Sequence, residues 1–169
     1  MQKLILAIDP GTSGGIAYRD TNLTGETAKP MPQTDTETVA LIQALTAYAH
    51  ERNLHKTAYI EKVGGYIAGA TTPGSAMFNF GQGVGLIKGA LLALGWRLIE
   101  TAPQKWQKPF SLGKSKDHPT KTHWKRHLKD TAQKRYPAQR VTLATADALL
   151  ILEYATLLER DNTVHQSTT

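Results

Sequence analysis

The opening residues constrain this chain most. Lys3-Leu4-Ile5-Leu6-Ala7-Ile8 is a strand pattern that runs into Asp9, and Pro10-Gly11-Thr12-Ser13-Gly14 then turns the backbone before a second strand pattern, Gly15 to Arg19. A hairpin therefore begins the fold, with a carboxylate at the end of its first strand. Pro10 and the glycines at 11, 14 and 15 leave little side-chain bulk beside that carboxylate, so Asp9 is expected to be reachable by a large ligand. The opening apolar run is too short and too soon followed by charge to be a secretion signal or a membrane span.

Further along, Glu26 to Met31 supplies a short third strand, and Thr36 to Arg52 carries Val39, Leu41, Ile42, Leu45 and Tyr48 near helical spacing. Thr57 to Val63 returns to strand character. A glycine-rich stretch, Gly64 to Ser75, leads to a helix from about Gly74 to Leu94, a strand at Trp96 to Glu100, a helix from about Thr120 to Tyr136 and a last helix from about Thr145 to Arg160. The order β-β-β-α-β-α-β-α-α predicts an α/β fold with one mixed five-stranded sheet and helices on both faces. At 169 residues the chain suits a single domain, residues 1–160, with 161–169 as a frayed tail. With no cysteines, disulfides, thiolate metal sites and cysteine nucleophiles are excluded.

Three acidic residues stand out by position. Asp9 ends the first strand; Glu61 ends Thr57-Ala58-Tyr59-Ile60-Glu61 and is followed by Gly64 and Gly65; Asp147 lies in the first turn of the last helix, beside the apolar Ala148, Leu149, Ile151, Leu152 and Ala155. Carboxylates at the ends of neighbouring strands and on a packed helix can converge as hard oxygen ligands for Mg²⁺ or Mn²⁺. Each also has a purely structural reading: a turn residue, an exposed strand end, a partner for the helix macrodipole.

The net charge of +6 is uneven, because residues 103–140 hold eleven Lys or Arg against Asp117 and Asp130 and carry +9 by themselves. Such a segment reads either as a surface for a polyanion, nucleic acid being the commonest, or as a solvated lysine-rich helix and loop. Trp106 and Trp124 sit among the lysines; either ring could stack on a base, and Trp124 equally suits an apolar face with Leu128. His123 and His127 have the i, i+4 spacing of a helix-borne metal pair, but the surrounding lysines favour a solvated face over a zinc site. Gly81, Gly85 and Gly89 form a small-residue stripe that implies close approach of another helix, of the sheet or of a second copy of the chain, and Lys88 argues against a membrane helix.

Taken in order, Ala7-Ile8-Asp9-Pro10-Gly11 with Gly14-Gly15, Tyr59-Ile60-Glu61-Lys62-Val63, Phe80-Gly81-Gln82-Gly83-Val84-Gly85, Pro103-Gln104-Lys105-Trp106-Gln107-Lys108, Lys134-Arg135-Tyr136-Pro137 and Ala146-Asp147-Ala148-Leu149 resemble the RuvC family of Holliday junction resolvases, in its shorter bacterial and phage form, over residues 3 to about 158. The opening motif alone also resembles the phosphate loop of sugar kinases and actin-like ATPases, which need two such lobes.

The resemblance implies a ribonuclease H-like fold and a homodimer, in the cytoplasm of a bacterial cell or a phage-infected host, that binds four-way junction DNA and nicks two symmetric strands. It implies two Mg²⁺ (or Mn²⁺) ions per active site, with Asp9 bridging both, Glu61 and Asp147 each completing one side, and water as the nucleophile. Lys105, Lys108, Lys114, Lys116 and Lys121 are implied near the scissile phosphate and its neighbours, Lys121 with a catalytic role, while Lys125 and Arg126 are expected to be phosphate contacts, Lys125 remote from the metals. Tyr66, Met77 and Phe78 are candidates for wedging into the junction centre. Many relatives carry a fourth acid one turn before Asp147, where this chain has Ala144; water, Glu100 or Glu153 could fill the gap. Two other readings stand beside the nuclease: a junction-binding protein with weak or no cleavage, and a ribonuclease H-like nuclease acting on RNA. A helicase partner is not specified by the sequence.

Overall fold

The computed structural model describes residues 2–64 and 74–166, the final six as backbone alone. Its elements are β1 (Lys3–Asp9), β2 (Gly15–Asp20), β3 (Thr27–Pro30), α1 (Asp35–Glu51), β4 (His55–Glu61), α2 (Gly74–Ala93), β5 (Arg97–Thr101), α3 (Pro103–Gln107), α4 (Lys121–Arg135) and α5 (Ala146–Gln166). The strands form one five-stranded sheet in the order β3-β2-β1-β4-β5. β1 pairs antiparallel with β2 and parallel with β4, β2 pairs antiparallel with β3, and β4 pairs parallel with β5.

β1 is continuously apolar because it is central and covered on both faces. Alternation sends Leu4, Leu6 and Ile8 into a core with Ile42, Leu45, Ile87 and Leu91 of α1 and α2. Ile5 and Ala7 enter the opposite core with Trp124 and Leu128 of α4 and Leu149 and Leu152 of α5. Each fully buried Leu or Ile stabilises the fold by roughly 1.5–3 kcal/mol relative to exposure, so the first eight residues anchor both layers.

The expected elements are present with shifted ends. α1 starts one residue earlier than the spacing suggests because Thr34 and Glu37 form a reciprocal capping box. β4 starts at His55 and ends at Glu61, since Lys3 pairs with His55 and the chain leaves the sheet once β1 ends. The short helix α3 and two single 3₁₀ turns, Lys108–Phe110 and Ser115–Asp117, lie in the basic segment and carry no apolar period that would announce them. α5 continues to Gln166, past the Arg160 at which a frayed tail was expected.

α5 is tied across the sheet near its far end by Glu159, which is buried. Its carboxylate accepts from Lys3 Nζ at 2.6 Å, from the Tyr59 hydroxyl at 2.7 Å and from the Arg97 guanidinium. Burial alone would raise the Glu159 carboxyl, but the bonds from Lys3 and Tyr59 outweigh it and hold the group below the usual range. One side chain thereby links α5 to β1, β4 and β5, which fixes the axial position of the helix that carries Asp147. Among the described residues no helix is long and apolar enough to cross a membrane.

Candidate active site

The register Ile8 to Ile60 between parallel β1 and β4 leaves Asp9 and Glu61 side by side at the same ends of neighbouring strands. Alternation places both on the face of Ile5, Ala7 and Tyr59, under α4 and α5. Asp147 reaches them because the start of α5 is seated against the hairpin. A Cβ on Gly15 would stand 2.4 Å from the Ala144 carbonyl oxygen, and one on Gly14 would stand 2.1 Å from that of Asp9. These glycines were expected to clear space for a ligand; at 14 and 15 they serve the chain's own close packing. At the turn itself, Gly11 has φ +125° and lies under the Phe80 ring, which packs over it.

The three carboxyls act on one another. Burial, then the charge of Asp147, pushes Asp9 up to about 7, with Glu61 adding to the rise and Lys125 opposing it. Burial, again followed by Asp147, pushes Glu61 up to about 7, against the opposing effects of Trp106 and Lys125. Burial raises Asp147 as well, opposed by Lys125. Asp147 is only 5 % exposed, and its Oδ1 is buried without a hydrogen-bond partner.

Lys125 is where the structure departs most from expectation. Its ammonium lies 2.5 Å from Asp147 Oδ2 and 3.9 Å from Asp9 Oδ2, so it belongs to the carboxylate site and is not a remote phosphate contact. Burial would lower the lysine, but the charge and hydrogen bond of Asp147 and the charges of Asp9 and Glu61 outweigh it and raise it. Lys121, the expected catalytic lysine, is exposed at the first residue of α4, one turn before Lys125. Trp106 is likewise reassigned: fully buried, it presents no face to a base and instead donates its indole N–H to Glu61 Oε2 at 2.9 Å. Trp124 is buried with Leu128.

A cleft of about 690 Å³ opens beside these groups, lined among others by Glu61, Gln104, Lys108, Lys114, Lys125 and Asp147. Lys105, Lys116 and Arg126 are exposed on the same basic segment, outside the residues that line the cleft. Of the junction-wedge candidates, Phe78 is 70 % exposed on the first turns of α2, Met77 is half-buried, and Tyr66 lies outside the described residues. Gly81, Gly85 and Gly89 have nothing within 4 Å of a Cβ, so no part of the described chain packs against the stripe. His123 turns to the Thr120 hydroxyl at 2.7 Å, whereas the His127 ring packs 5.0 Å from that of His118, so the pair does not face one point.

Ala144 contributes no ligand, and neither acid expected as a substitute reaches the site. Glu100 pairs with Lys88 at 2.7 Å, and Glu153 accepts from the Tyr136 hydroxyl at 3.0 Å. Among the described residues no three His, Asp or Glu side chains are grouped closely enough to hold one ion as they stand. The donor chemistry nevertheless fits a divalent cation: all three carboxylates are acceptors in mutual electrostatic reach, Asp147 keeps a buried oxygen unpaired, and a cation, the Lys125 ammonium, already lies against them.

The sheet order and the two helical layers form a mixed five-stranded α/β fold of ribonuclease H-like type. Among solved structures it is similar to RuvC of T. thermophilus in complex with Holliday junction substrate, at 15 % identity and a TM-score of 0.57 over 95 % of this chain and 97 % of that one. A second Thermus thermophilus RuvC structure gives 15 % identity and a TM-score of 0.56 over the same shares. The yeast mitochondrial Holliday junction resolvase Ydc2 aligns with 96 % of this chain and 83 % of its own, at 15 % identity and a TM-score of 0.45. No family model and no curated protein sequence matches the chain.

Proposed function

We propose that the chain is a divalent-metal-dependent endonuclease that cuts DNA at four-way junctions by paired symmetric nicks. The observation that carries this reading is the placement of Asp9, Glu61 and Asp147 on one face at the end of the sheet, beside a cleft edged by lysines. A bound divalent cation would polarise a phosphoryl oxygen and make water a competent nucleophile near neutral pH. Asp9, Glu61 and Asp147 are the residues that would hold it.

The chain's own groups do the rest. Trp106 fixes the rotamer of Glu61 and favours its charged form through one partly buried hydrogen bond. Lys108 and Lys114 hold phosphates of the strand in the cleft, which supplies affinity without reading sequence. Water's oxygen bonds to phosphorus, the bond from phosphorus to the 3′ oxygen breaks, and the proton released by water balances the one taken up by the leaving oxygen. Two symmetric nicks call for two sites related by a two-fold axis, so the working unit in this reading is a homodimer. The exposed glycine stripe of α2, flanked by the exposed Phe78 and Leu92, is the face that suits the contact.

A second reading, a junction-binding protein with weak or no cleavage, is favoured by one observation: Ala144 removes an acid and neither Glu100 nor Glu153 replaces it. One experiment separates the readings. Labelled four-way junction, linear duplex and RNA–DNA hybrid are incubated with the protein in Mg²⁺, Mn²⁺ or EDTA. Paired nicks in the junction alone, lost in EDTA, support the nuclease; binding without nicks supports the second reading; equal cutting of duplex or preferential cutting of the hybrid overturns both. Sedimentation at micromolar concentration is expected at about twice 18.5 kDa, and a strict monomer both free and on the junction would remove the dimer.

A further inference from the structure

The Lys125 ammonium lies at 2.5 Å from one oxygen of Asp147 and 3.9 Å from Asp9, inside the group of acids that the proposed function assigns to metal. Its backbone is held there by its neighbours: Trp124 and Leu128, on the same helix, are buried in the core shared with α5 and the sheet. The lysine therefore projects from a docked helix and is not a loose surface chain swinging by.

Charge makes the arrangement informative. In the deprotonated form that binds metal, Asp9, Glu61 and Asp147 bring three negative charges, and Lys125 returns one positive charge, which leaves two. One divalent ion neutralises that remainder. A second ion would leave a surplus of positive charge in a largely buried site, where the absence of an acid at Ala144 and the engagement of Glu100 and Glu153 elsewhere provide nothing to offset it. The Asp147 oxygens are already divided in the same sense: Oδ2 accepts from the lysine, and Oδ1 is buried and unpaired.

We propose that Lys125 is a resident cation, filling the Asp9–Asp147 side of the site with its ammonium so that the chain binds one divalent ion where three carboxylates would otherwise accept two. This inference rests on the metal-site reading above and differs from the two-ion site that the family resemblance implies. The lysine supplies a fixed positive charge beside the cleft, in contact range of a phosphate lying there, and it keeps Asp9 and Asp147 from repelling each other before any ion arrives.

The test counts ions without DNA and without turnover. Mn²⁺ is titrated into the purified full chain, followed by calorimetry and by the electron paramagnetic resonance signal of free Mn²⁺. The wild-type chain is expected to take one ion. Lys125→Met, close in size but neutral, is expected to take a second equivalent or to bind the first at least tenfold more tightly, and Lys125→Gln repeats the measurement in case the methionine variant misfolds. Lys125→Arg keeps the charge and stays at one ion. Lys129→Met, one turn further along α4, removes an equal charge outside the site and leaves both stoichiometry and affinity unchanged. Two ions of similar affinity in the wild type, or neutral Lys125 variants that match it in both number and affinity, overturn the inference while leaving the metal site standing. If Mn²⁺ binds to none of the variants, or binds Asp9→Asn as well as wild type, the metal-site reading itself fails.

Discussion

Lys125 and Asp147 stand 22 residues apart in sequence and meet at 2.5 Å, joining α4 to the first turn of α5 directly above the ends of β1 and β4. The contact decides the electrostatic character of the site. Without it, three largely buried carboxylates would face one another with, among the described residues, the indole of Trp106 as their hydrogen-bond donor. With it, two of the three share a cation that the chain itself provides.

Asp9→Asn is expected to abolish junction cleavage and to leave junction binding within a few fold. In the proposed reading the carboxylate would hold metal, while lysines at the cleft such as Lys108 and Lys114 would hold DNA. Gel-shift titration in EDTA beside single-turnover cleavage in Mg²⁺ measures both, and a parallel collapse of binding would show that the residue supports the fold instead.

The pH dependence of the metal-depleted protein follows from Asp9 and Glu61, each pushed up to about 7 from the ordinary carboxylate range by burial first and by Asp147 second. A carboxyl whose folded value exceeds its unfolded value gives the folded state extra protons between the two, so its stabilisation is complete below pH ~4 and is lost as pH rises through ~7. In EDTA the unfolding free energy is therefore expected to fall from pH 5.5 to pH 8 by on the order of 2 kcal/mol for each of the two groups. Asp9→Asn flattens the fall and is more stable than wild type at pH 8, and saturating Mn²⁺ restores wild-type stability there. Urea melts at the two pH values check the sign.

Trp106→Phe removes the hydrogen bond to Glu61 and keeps most of the buried ring. Because the indole N–H favours the charged carboxylate, its loss raises Glu61 further, and Mn²⁺ affinity at pH 7 should drop several-fold while recovering at pH 8.5. Stability falls by about 1–3 kcal/mol from the cavity and the lost bond. Equal Mn²⁺ affinity for variant and wild type across that range would sever Trp106 from the site.

Glu159→Gln breaks the tie between α5 and three strands. Lys3 and Arg97 lose their charged acceptor, and Tyr59 keeps at best a neutral partner, so a loss of roughly 2–4 kcal/mol is expected. Chemical denaturation reads it, and Mn²⁺ stoichiometry of the folded fraction should not change.

The lysines separate by salt dependence. Lys114→Ala, at the edge of the cleft, should weaken junction binding and flatten the slope of log affinity against log salt by about one. Lys134→Ala, in the last turn of α4, should leave that slope nearly unchanged. Lys121→Ala should alter the slope at most, with the cleavage rate at saturation intact, since the side chain is exposed outside the cleft. A large drop in its saturated rate would return the catalytic role to Lys121.

What the sequence determined by itself was local. The apolar alternation of Lys3 to Ile8 and Thr57 to Ile60, the turn at Pro10 to Gly14 and the apolar face of the last helix are short-range patterns, and they put Asp9, Glu61 and Asp147 at element ends without reference to any long-range contact. Tertiary structure decided which other side chains join them. Lys121 and Lys125 lie on one face of α4, a single turn of about 5.4 Å apart, and nothing in the helical period says which turn is level with the strand ends. That depends on where Trp124, Leu128 and Ala132 seat against α5 and the sheet, and on Glu159 fixing α5 along its axis. The same holds for Trp106: an indole among lysines suggests a surface, and only the packing of α3 under α5 turns it inward to Glu61. Periodicity specifies a face, whereas axial position and the partner of a buried polar group are set by long-range packing, which one sequence does not spell out.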